Sequence, residues 1–296
     1  MRRTVGLALT ASFAAFALVA CTPDAVPNPT VTVTTTVEAH ATITATPAPS
    51  QSVPAGYVPN PYARPEWLGA VALPVEKNGL AKPGKTPPEL VNRQLEPRPG
   101  PYPDPDSDQW FATISEVPAD VLARSSWSKN CPVAADELAY IVMPFWGFDN
   151  KPHTGEMLIN AKWAAKVTPV FKYIYEHKFP IEEMRVTTRE EVLGARYGDQ
   201  NVTSSFECRR STGGYPTWGE HASGLAIDIN PFQNPWVRDG FVYPELSSSY
   251  VNRKWLRPGM IETQRAIVTK FKHIGWFWGG DWTLFDDWMH FSSKNR

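Results

Sequence analysis

Proline and threonine dominate the residues that lie between an apolar N-terminal run and about Asp108. The stretch "PNPTVTVTTTVEAHATITATPAPSQSVPAGYVPNPYARP" has no sustained apolar period. A segment of this composition buries too little apolar surface to offset the entropy that it would lose on ordering. We therefore predict a disordered linker over residues 21–108, partly extended as polyproline helix, and a folded domain over residues 109–296. Whether residues 67–105 pack on that domain is left open.

The first twenty residues have the pattern of an export signal. Arg2 and Arg3 precede an apolar run that ends at Ala20 and is too short for a comfortable membrane span. The run closes with "LVAC", which resembles a bacterial lipobox, whose cysteine is acylated. We predict a lipoprotein signal peptide over residues 1–20 and a lipid at Cys21, so that the protein would be extracytoplasmic and anchored to the bacterial cell membrane. An ordinary signal peptide is the alternative.

The charge balance argues against a nucleic-acid partner. The 296 residues carry a formal net charge of -1, without the basic excess that phosphate binding requires. A nucleic-acid-binding function is therefore not expected.

The folded part mixes helices and strands without regular alternation. "LAYIVMPFWGF" (138–148) is rich in branched and aromatic residues and predicts a strand, while the residues after it predict an amphipathic helix. The helical stripe consists of Trp163, Val167, Val170, Phe171, Ile174 and Tyr175. Further strands are expected at 184–188, 225–230, 276–278 and 288–292, and a second helix at 263–274. This order predicts an α+β domain with a small antiparallel sheet and flanking helices.

Two cysteines remain once Cys21 is assigned to a lipid. Cys131 and Cys208 form an even pair in a domain that we expect to be exported to an oxidising space. A disulfide between them is the prediction, and two buried thiols are the alternative.

The segment "HASGLAID" contains two residue types that bind zinc. A catalytic zinc site takes three protein ligands from imidazole nitrogens and carboxylate oxygens and leaves one position open. His221 and Asp228 are seven residues apart, so on one straight strand they would face opposite sides. The Ser223-Gly224 pair allows the turn that would bring them together. In "FDDWMHFSS", His290 offers a third ligand, with Asp287 three residues before it.

Taken together, "HASGLAID", "WGGDW" and "DWMHF" resemble the zinc D-alanyl-D-alanine carboxypeptidase family, which includes L-alanyl-D-glutamate endopeptidases. The resemblance covers residues 127–291. It implies a hedgehog-like or D,D-peptidase-like fold with a zinc site in a cleft, and one zinc ion per chain bound by His221, Asp228 and His290. It also implies that Asp287 is the general base or acid.

In the same family, an arginine ahead of the first ligand faces the substrate carbonyl. Arg209 in "FECRR" is the better match, and Arg210 is the alternative. The implied substrate is a peptidoglycan stem peptide. The bond cut would be either the terminal D-alanyl-D-alanine bond or the bond between L-alanine and D-glutamate. We expect a monomer.

A competing hypothesis is a wall-binding lipoprotein that has kept the peptidase fold and lost catalysis. Such a protein would be expected to lack a ligand, the base or the arginine. Because this chain has all of them, we expect an active enzyme.

Overall fold

A computed structural model describes residues 60–77, 79–212 and 215–295. All of these residues lie in one compact unit. The predicted signal peptide, the lipid attachment at Cys21 and the first part of the predicted linker lie outside the described residues. Within the described part of the chain, no helix has both the length and the apolar character needed to span a membrane.

The described residues combine α-helices with short, mostly antiparallel strands, which confirms the predicted α+β class. The helices are α1 (Ala119–Arg124), α2 (Ala161–Glu176), α3 (Arg189–Leu193) and α4 (Ala266–His273). The strands are β1 (Thr113–Glu116), β2 (Leu138–Trp146), β3 (Pro152–Asn160), β4 (Glu183–Met184), β5 (Val202–Thr203), β6 (Ala226–Asp228), β7 (Trp236–Arg238), β8 (Phe241–Tyr243), β9 (Phe277–Trp278), β10 (Asp286–Asp287) and β11 (His290–Ser292).

The longest strands and the longest helix form the centre of the core. Strand β2 lies between β1 and β3 in an antiparallel sheet, and nearly all of its residues are buried. Helix α2 begins after Asn160, whose side chain accepts a hydrogen bond from the backbone N–H of Lys162. Its apolar residues recur at helical spacing and therefore share one face, which packs into the core. The strand predicted at 138–148 and the amphipathic helix predicted after it are both present, as β2 and α2.

Besides the β1–β3 sheet, the described residues form two more three-stranded sheets and one two-stranded sheet, whereas the sequence suggested a single sheet. Strands β6, β11 and β9 form one antiparallel sheet, and β10, β7 and β8 form another. The strand expected at 184–188 is present only as β4, which pairs in parallel with β5. The expected strand would have ended at Thr188, which instead caps the next helix, α3, by accepting a hydrogen bond from the N–H of Glu191.

Residues 60–108, which we call the arm, pack on the domain in their described part (60–77 and 79–108). Arg93 is only 1% exposed and forms two hydrogen bonds of 2.7 Å to the carboxylate of Glu182. Leu90 and Leu95 of the arm belong to an apolar cluster with Phe232, Tyr250 and Met260. The predicted boundary at Gln109 thus lies inside the compact unit, because a few buried side chains order a segment whose composition is typical of linkers.

The predicted disulfide is present. Cys131 and Cys208 are bonded, with their Cα atoms 5.8 Å apart and a separation of 77 positions in sequence. Cys208 directly precedes Arg209, so the bridge fixes the segment that leads to the candidate site. The backbone N–H of Cys208 also donates to the hydroxyl of Ser126, at 3.0 Å.

We expect Arg93→Met to reduce the free energy of unfolding by about 3–5 kcal/mol, because it leaves the Glu182 carboxylate buried with less compensation. Lys82→Met is the matched control: Lys82 lies 3.8 Å from Glu76, its side chain is 83% exposed, and its loss should cost less than about 1 kcal/mol. Urea denaturation of the two variants measures the difference. Equal losses in both variants would contradict a special role for the buried pair.

Candidate metal centre

Three separate elements position the predicted ligands. His221 lies in a 3-10 helix (Glu220–Ser223), Asp228 ends β6, and His290 begins β11. Strands β6 and β11 pair antiparallel with His290 directly opposite Asp228. The expected turn is formed at Gly224, whose φ is +63° and whose added Cβ would lie 2.5 Å from the backbone nitrogen of Asn160. Glycine is therefore required at this turn.

The three side chains converge on one point. His221 Nε2 lies 3.2 Å from His290 Nδ1 and 3.2 Å from Asp228 Oδ2. His290 Nδ1 lies 3.0 Å from Asp228 Oδ1. One ligand atom from each residue can be chosen so that all lie within 4.8 Å of one another, and all three residues are buried. Two imidazole nitrogens and one carboxylate oxygen form the donor set of a catalytic zinc site, so the residues fit the predicted metal.

A backbone carbonyl orients the first histidine. His221 Nδ1 donates to the carbonyl oxygen of Ser205 at 2.7 Å. This hydrogen bond selects the tautomer in which Nε2 carries a lone pair toward the other two ligands. Metal-binding histidines are commonly held in this way by their second nitrogen.

The charges of the cluster stabilise one another. Burial raises the pKa of Asp228, but the charges and hydrogen bonds of His221 and His290 outweigh it and hold that pKa well below its usual range. Burial lowers the pKa of His221, and the Asp228 carboxylate raises it above the ordinary value overall. The Asp228 carboxylate is therefore ionised at neutral pH, as a metal ligand must be.

Asp287 and the three candidate ligands line one cavity, which has a volume of about 450 Å³. Asp287 belongs to β10 and pairs with Trp236 of β7. Its Oδ1 is buried and has no hydrogen-bond partner among the described residues. Burial, followed by the nearby Asp228 carboxylate, raises the pKa of Asp287 to about 7, although His290 and Arg209 act to lower it. A carboxyl group in this environment is suited to exchanging protons near neutral pH.

The two candidate arginines have different surroundings. Arg209 lines the cavity with the ligands and donates from Nε to Glu207 at 2.8 Å. Arg210 instead places its guanidinium 3.8 Å from the ring centre of Trp218, and it does not line this cavity. The structure thus brings Arg209, rather than Arg210, together with the predicted ligands.

The sequence reading missed Trp236 and Tyr243 of the cavity wall. Trp236 and Tyr243 lie opposite each other on β7 and β8, and both line the cavity. Their hairpin turns at Asp239-Gly240, where both residues have positive φ. A D-G pair between short apolar runs is a hairpin signal, so the sequence did contain a pointer to this wall. Trp282 lies in the wall as well, with its ring 5.4 Å from that of His290.

Asp287→Asn should stabilise the metal-free protein in a pH-dependent way. In the folded protein the pKa of Asp287 is about 7, above its ordinary value, so the fold disfavours the ionised carboxylate. The loss of stability begins as the pH rises through about 4 and is complete above about 7. At about pH 8 we expect Asp287→Asn to raise the thermal midpoint by about 2–4 °C for each kcal/mol of stability that removal of the charge restores. At about pH 4 we expect no gain. Scanning calorimetry after chelation measures this. Equal gains at both pH values would rule out the charge as the cause.

Comparison with known proteins bears on the same residues. No curated protein and no solved structure matches the chain significantly. A family model described as D-alanyl-D-alanine carboxypeptidase matches residues 212–293. This segment contains the three candidate ligands and Asp287, whereas Arg209 and the arm precede it. The match confirms, over residues 212–293, the resemblance of this chain to the D-alanyl-D-alanine carboxypeptidase-like metallopeptidases.

Proposed function

We propose that this protein is a zinc-dependent peptidase that hydrolyses peptidoglycan stem peptides. The observation that carries the proposal is the convergence of His221, Asp228 and His290 in a cavity that also contains Asp287. The family match over the same residues supports a peptidase that acts on substrates of the D-alanyl-D-alanine type. Only three protein ligands converge among the described residues, which is the number found in catalytic rather than structural zinc sites.

One zinc ion per chain, held by the two histidines and Asp228, would supply a Lewis acid for the scissile carbonyl and for water. Asp287 takes up the proton of the attacking water and passes it to the leaving amine. The carboxyl group can carry out both transfers because it lies in the same cavity as the three ligands.

Arg209 is the residue that we assign to the developing oxyanion. Burial lowers the pKa of its guanidinium, but Glu207 and other acidic groups raise it above the ordinary value, so the side chain stays charged. A fixed charge in a cavity shielded from water stabilises an oxyanion more than the same charge does in solution. The ion pair with Glu207 also limits the rotation of the side chain.

The family description favours the terminal D-alanyl-D-alanine bond, with the L-alanyl-D-glutamate bond as the alternative. We further propose that the protein acts as an exported monomer, anchored to the bacterial cell membrane by a lipid on Cys21. The disulfide between Cys131 and Cys208 supports export, because such bonds persist in oxidising compartments.

The proposal predicts one equivalent of zinc and chelator-sensitive hydrolysis. Elemental analysis of the purified protein gives the metal content, and mass spectrometry of purified stem peptides identifies the released fragment. We expect loss of D-alanine or of an L-alanine fragment, which stops after chelation and returns when zinc is restored. Bound zinc without cleavage of any stem peptide would favour a wall-binding protein instead.

Asp287→Ala should keep zinc and reduce kcat by about 10²–10⁴-fold, because a general acid–base group contributes roughly that much. Asp286→Ala is the matched control, since Asp286 is the adjacent carboxylate and does not line the cavity. We expect the control to hydrolyse stem peptides at nearly the unaltered rate. Near-normal hydrolysis by Asp287→Ala would refute its assignment as the base.

A further inference from the structure

An exposed apolar tip lies in the loop that follows the 3-10 helix Ser248–Val251. Trp255 and Leu256 are neighbours in sequence and are 48% and 52% exposed, and Lys254 before them is exposed as well. We call residues 254–256 the loop tip. They line neither the cavity of the candidate metal centre nor the cavity of about 910 Å³ that adjoins it. The loop tip is therefore separate from the candidate site.

Two arginines hold the loop on either side of this tip. Arg253 donates from Nε to Glu262 at 2.8 Å and from Nη1 to the carbonyl of Gln233 at 2.7 Å. Arg257 is only 3% exposed and donates to the carbonyl of Ser249 at 2.9 Å. Because the loop is fixed at both ends, a partner that binds its tip has little chain to order, which lowers the entropic cost of binding.

The ring of Trp255 is supported from the protein side. The guanidinium of Arg257 lies 4.2 Å from the ring centre, a cation–π contact that orients the indole. The residue nevertheless stays about half exposed, beside the exposed side chain of Leu256. Two adjacent apolar side chains are thus held toward water, and an apolar medium that covered them would gain hydrophobic free energy.

The size of the loop tip favours a lipid surface over a protein partner. A stable protein–protein interface buries about 800 Å² on each partner, far more than two side chains supply. A phospholipid layer can instead take up a small apolar wedge. Tryptophan prefers the boundary between headgroups and acyl chains, and a lysine stem can lie along apolar surface while its ammonium group stays among the headgroups.

The charge of this loop is positive. Residues 252–260 contain three basic side chains and no acidic one. The two arginines are engaged in the contacts above, whereas Lys254 is exposed. Where the arm adjoins the loop, it adds one exposed charge of each sign, Lys85 and Glu89. The charge at the tip itself is therefore that of Lys254, which complements the phosphate groups of an anionic lipid.

The start of the described chain lies close to this loop. Arg257 donates to the carbonyl of Val91, and five positions further along the arm Glu96 accepts a hydrogen bond of 2.9 Å from the side chain of Asn60, the first described residue. Five residues span at most about 18 Å. The 39 positions from Cys21 to Asn60 span at most about 140 Å, so a lipid at Cys21 would keep the domain within that distance of a bilayer. At such range a weak surface contact is readily populated.

We propose that the loop tip docks the domain on an anionic phospholipid surface. Trp255 and Leu256 enter the layer between headgroups and acyl chains, and Lys254 contacts lipid phosphate groups. The presence of a membrane beside the protein rests on the proposed lipid at Cys21, but the contact itself does not require that lipid. The inference gives the domain a second, reversible membrane contact.

Sedimentation with sucrose-loaded vesicles tests the contact without the lipid. The protein is the chain of residues 22–296, which keeps the compact unit that begins at Gly56 whole. The vesicles contain equal parts of phosphatidylglycerol and phosphatidylcholine. We expect Trp255→Ser and Leu256→Ser each to weaken binding about three- to tenfold, because each removes apolar surface that the lipid would bury. Lys254→Ser should weaken it about fivefold on these vesicles and leave binding to phosphatidylcholine alone unchanged.

Leu284→Ser is the matched control. Leu284 is 88% exposed, more than either apolar residue of the tip, so a general affinity of exposed apolar groups for lipid would be lost at least as strongly there. We expect this variant to bind normally. Leu256→Ser should keep the thermal midpoint, because it leaves the contact between Trp255 and Arg257 in place. Equal weakening by Leu284→Ser, or no vesicle binding by the unaltered chain, would overturn the proposal.

A second copy of the chain or the wall glycan is the competing occupant of the loop tip. Sedimentation velocity measures self-association, and co-sedimentation with purified peptidoglycan measures glycan binding. If Trp255→Ser abolishes one of these and leaves vesicle binding unchanged, the tip binds that partner and the membrane contact is refuted.

The membrane contact, the anchor and the enzyme can fail separately. Trp255→Ser should hydrolyse a soluble stem peptide at the unaltered rate, because the tip lines neither cavity. Mass spectrometry of the N-terminal peptide shows whether Cys21 carries a lipid in the cell. Vesicle binding by residues 22–296 without a lipid on Cys21 in the cell would leave the contact standing and remove the anchor. An acylated Cys21 without such vesicle binding would do the reverse.

Discussion

The pairing of β6 with β11 is the constraint on which the candidate site depends. Asp228 faces His290 in this pair, and the next position joins Ile227 to Phe291. Successive residues of a strand point to opposite faces, and Ile227 and Phe291 are fully buried in the main core. Their burial directs Asp228 and His290 to the cavity side. A slip of one residue would exchange the two faces, so the core that stabilises the domain also sets the register of the candidate metal ligands.

The arm shows how a linker-like composition can still be ordered. Proline fixes one backbone dihedral in advance, so a proline-rich segment loses less entropy when it settles on a surface. The arm then needs few anchors, and Arg93 provides the strongest one through its bidentate contact with Glu182. Burial raises the pKa of Glu182, but Arg93 and Arg64 reverse that effect and hold the pKa below its usual range. This charged pair and the apolar cluster around Leu90 and Leu95 therefore hold the arm on the domain.

The parts that sequence could predict are those that local patterns encode. The helical stripe of α2, the strand β2 and the turn at Gly224 all follow from spacing or residue type within a short window. The ligand triad needed the resemblance as well, because His290 lies 62 residues from Asp228. The packing of the arm had no local signal, since Arg93 and Glu182 are 89 residues apart. The sequence also had no local signal to distinguish Arg209 from Arg210. Arg209 pairs with Glu207 and Arg210 packs on Trp218, and both contacts depend on how the chain folds.

The two aspartates of the site illustrate how environment assigns role. Asp228 and Asp287 line one cavity, yet their pKa values are shifted in opposite directions. Two histidines contact Asp228 and keep it ionised, which suits a metal ligand. Asp287 has a buried oxygen without a partner and faces the charge of Asp228, which favours its protonated form. Pairs of acidic groups whose pKa values are driven apart in this way divide the tasks of binding charge and moving protons. The proposed role of Asp287 as the proton carrier therefore rests on its surroundings as well as on its place in the motif.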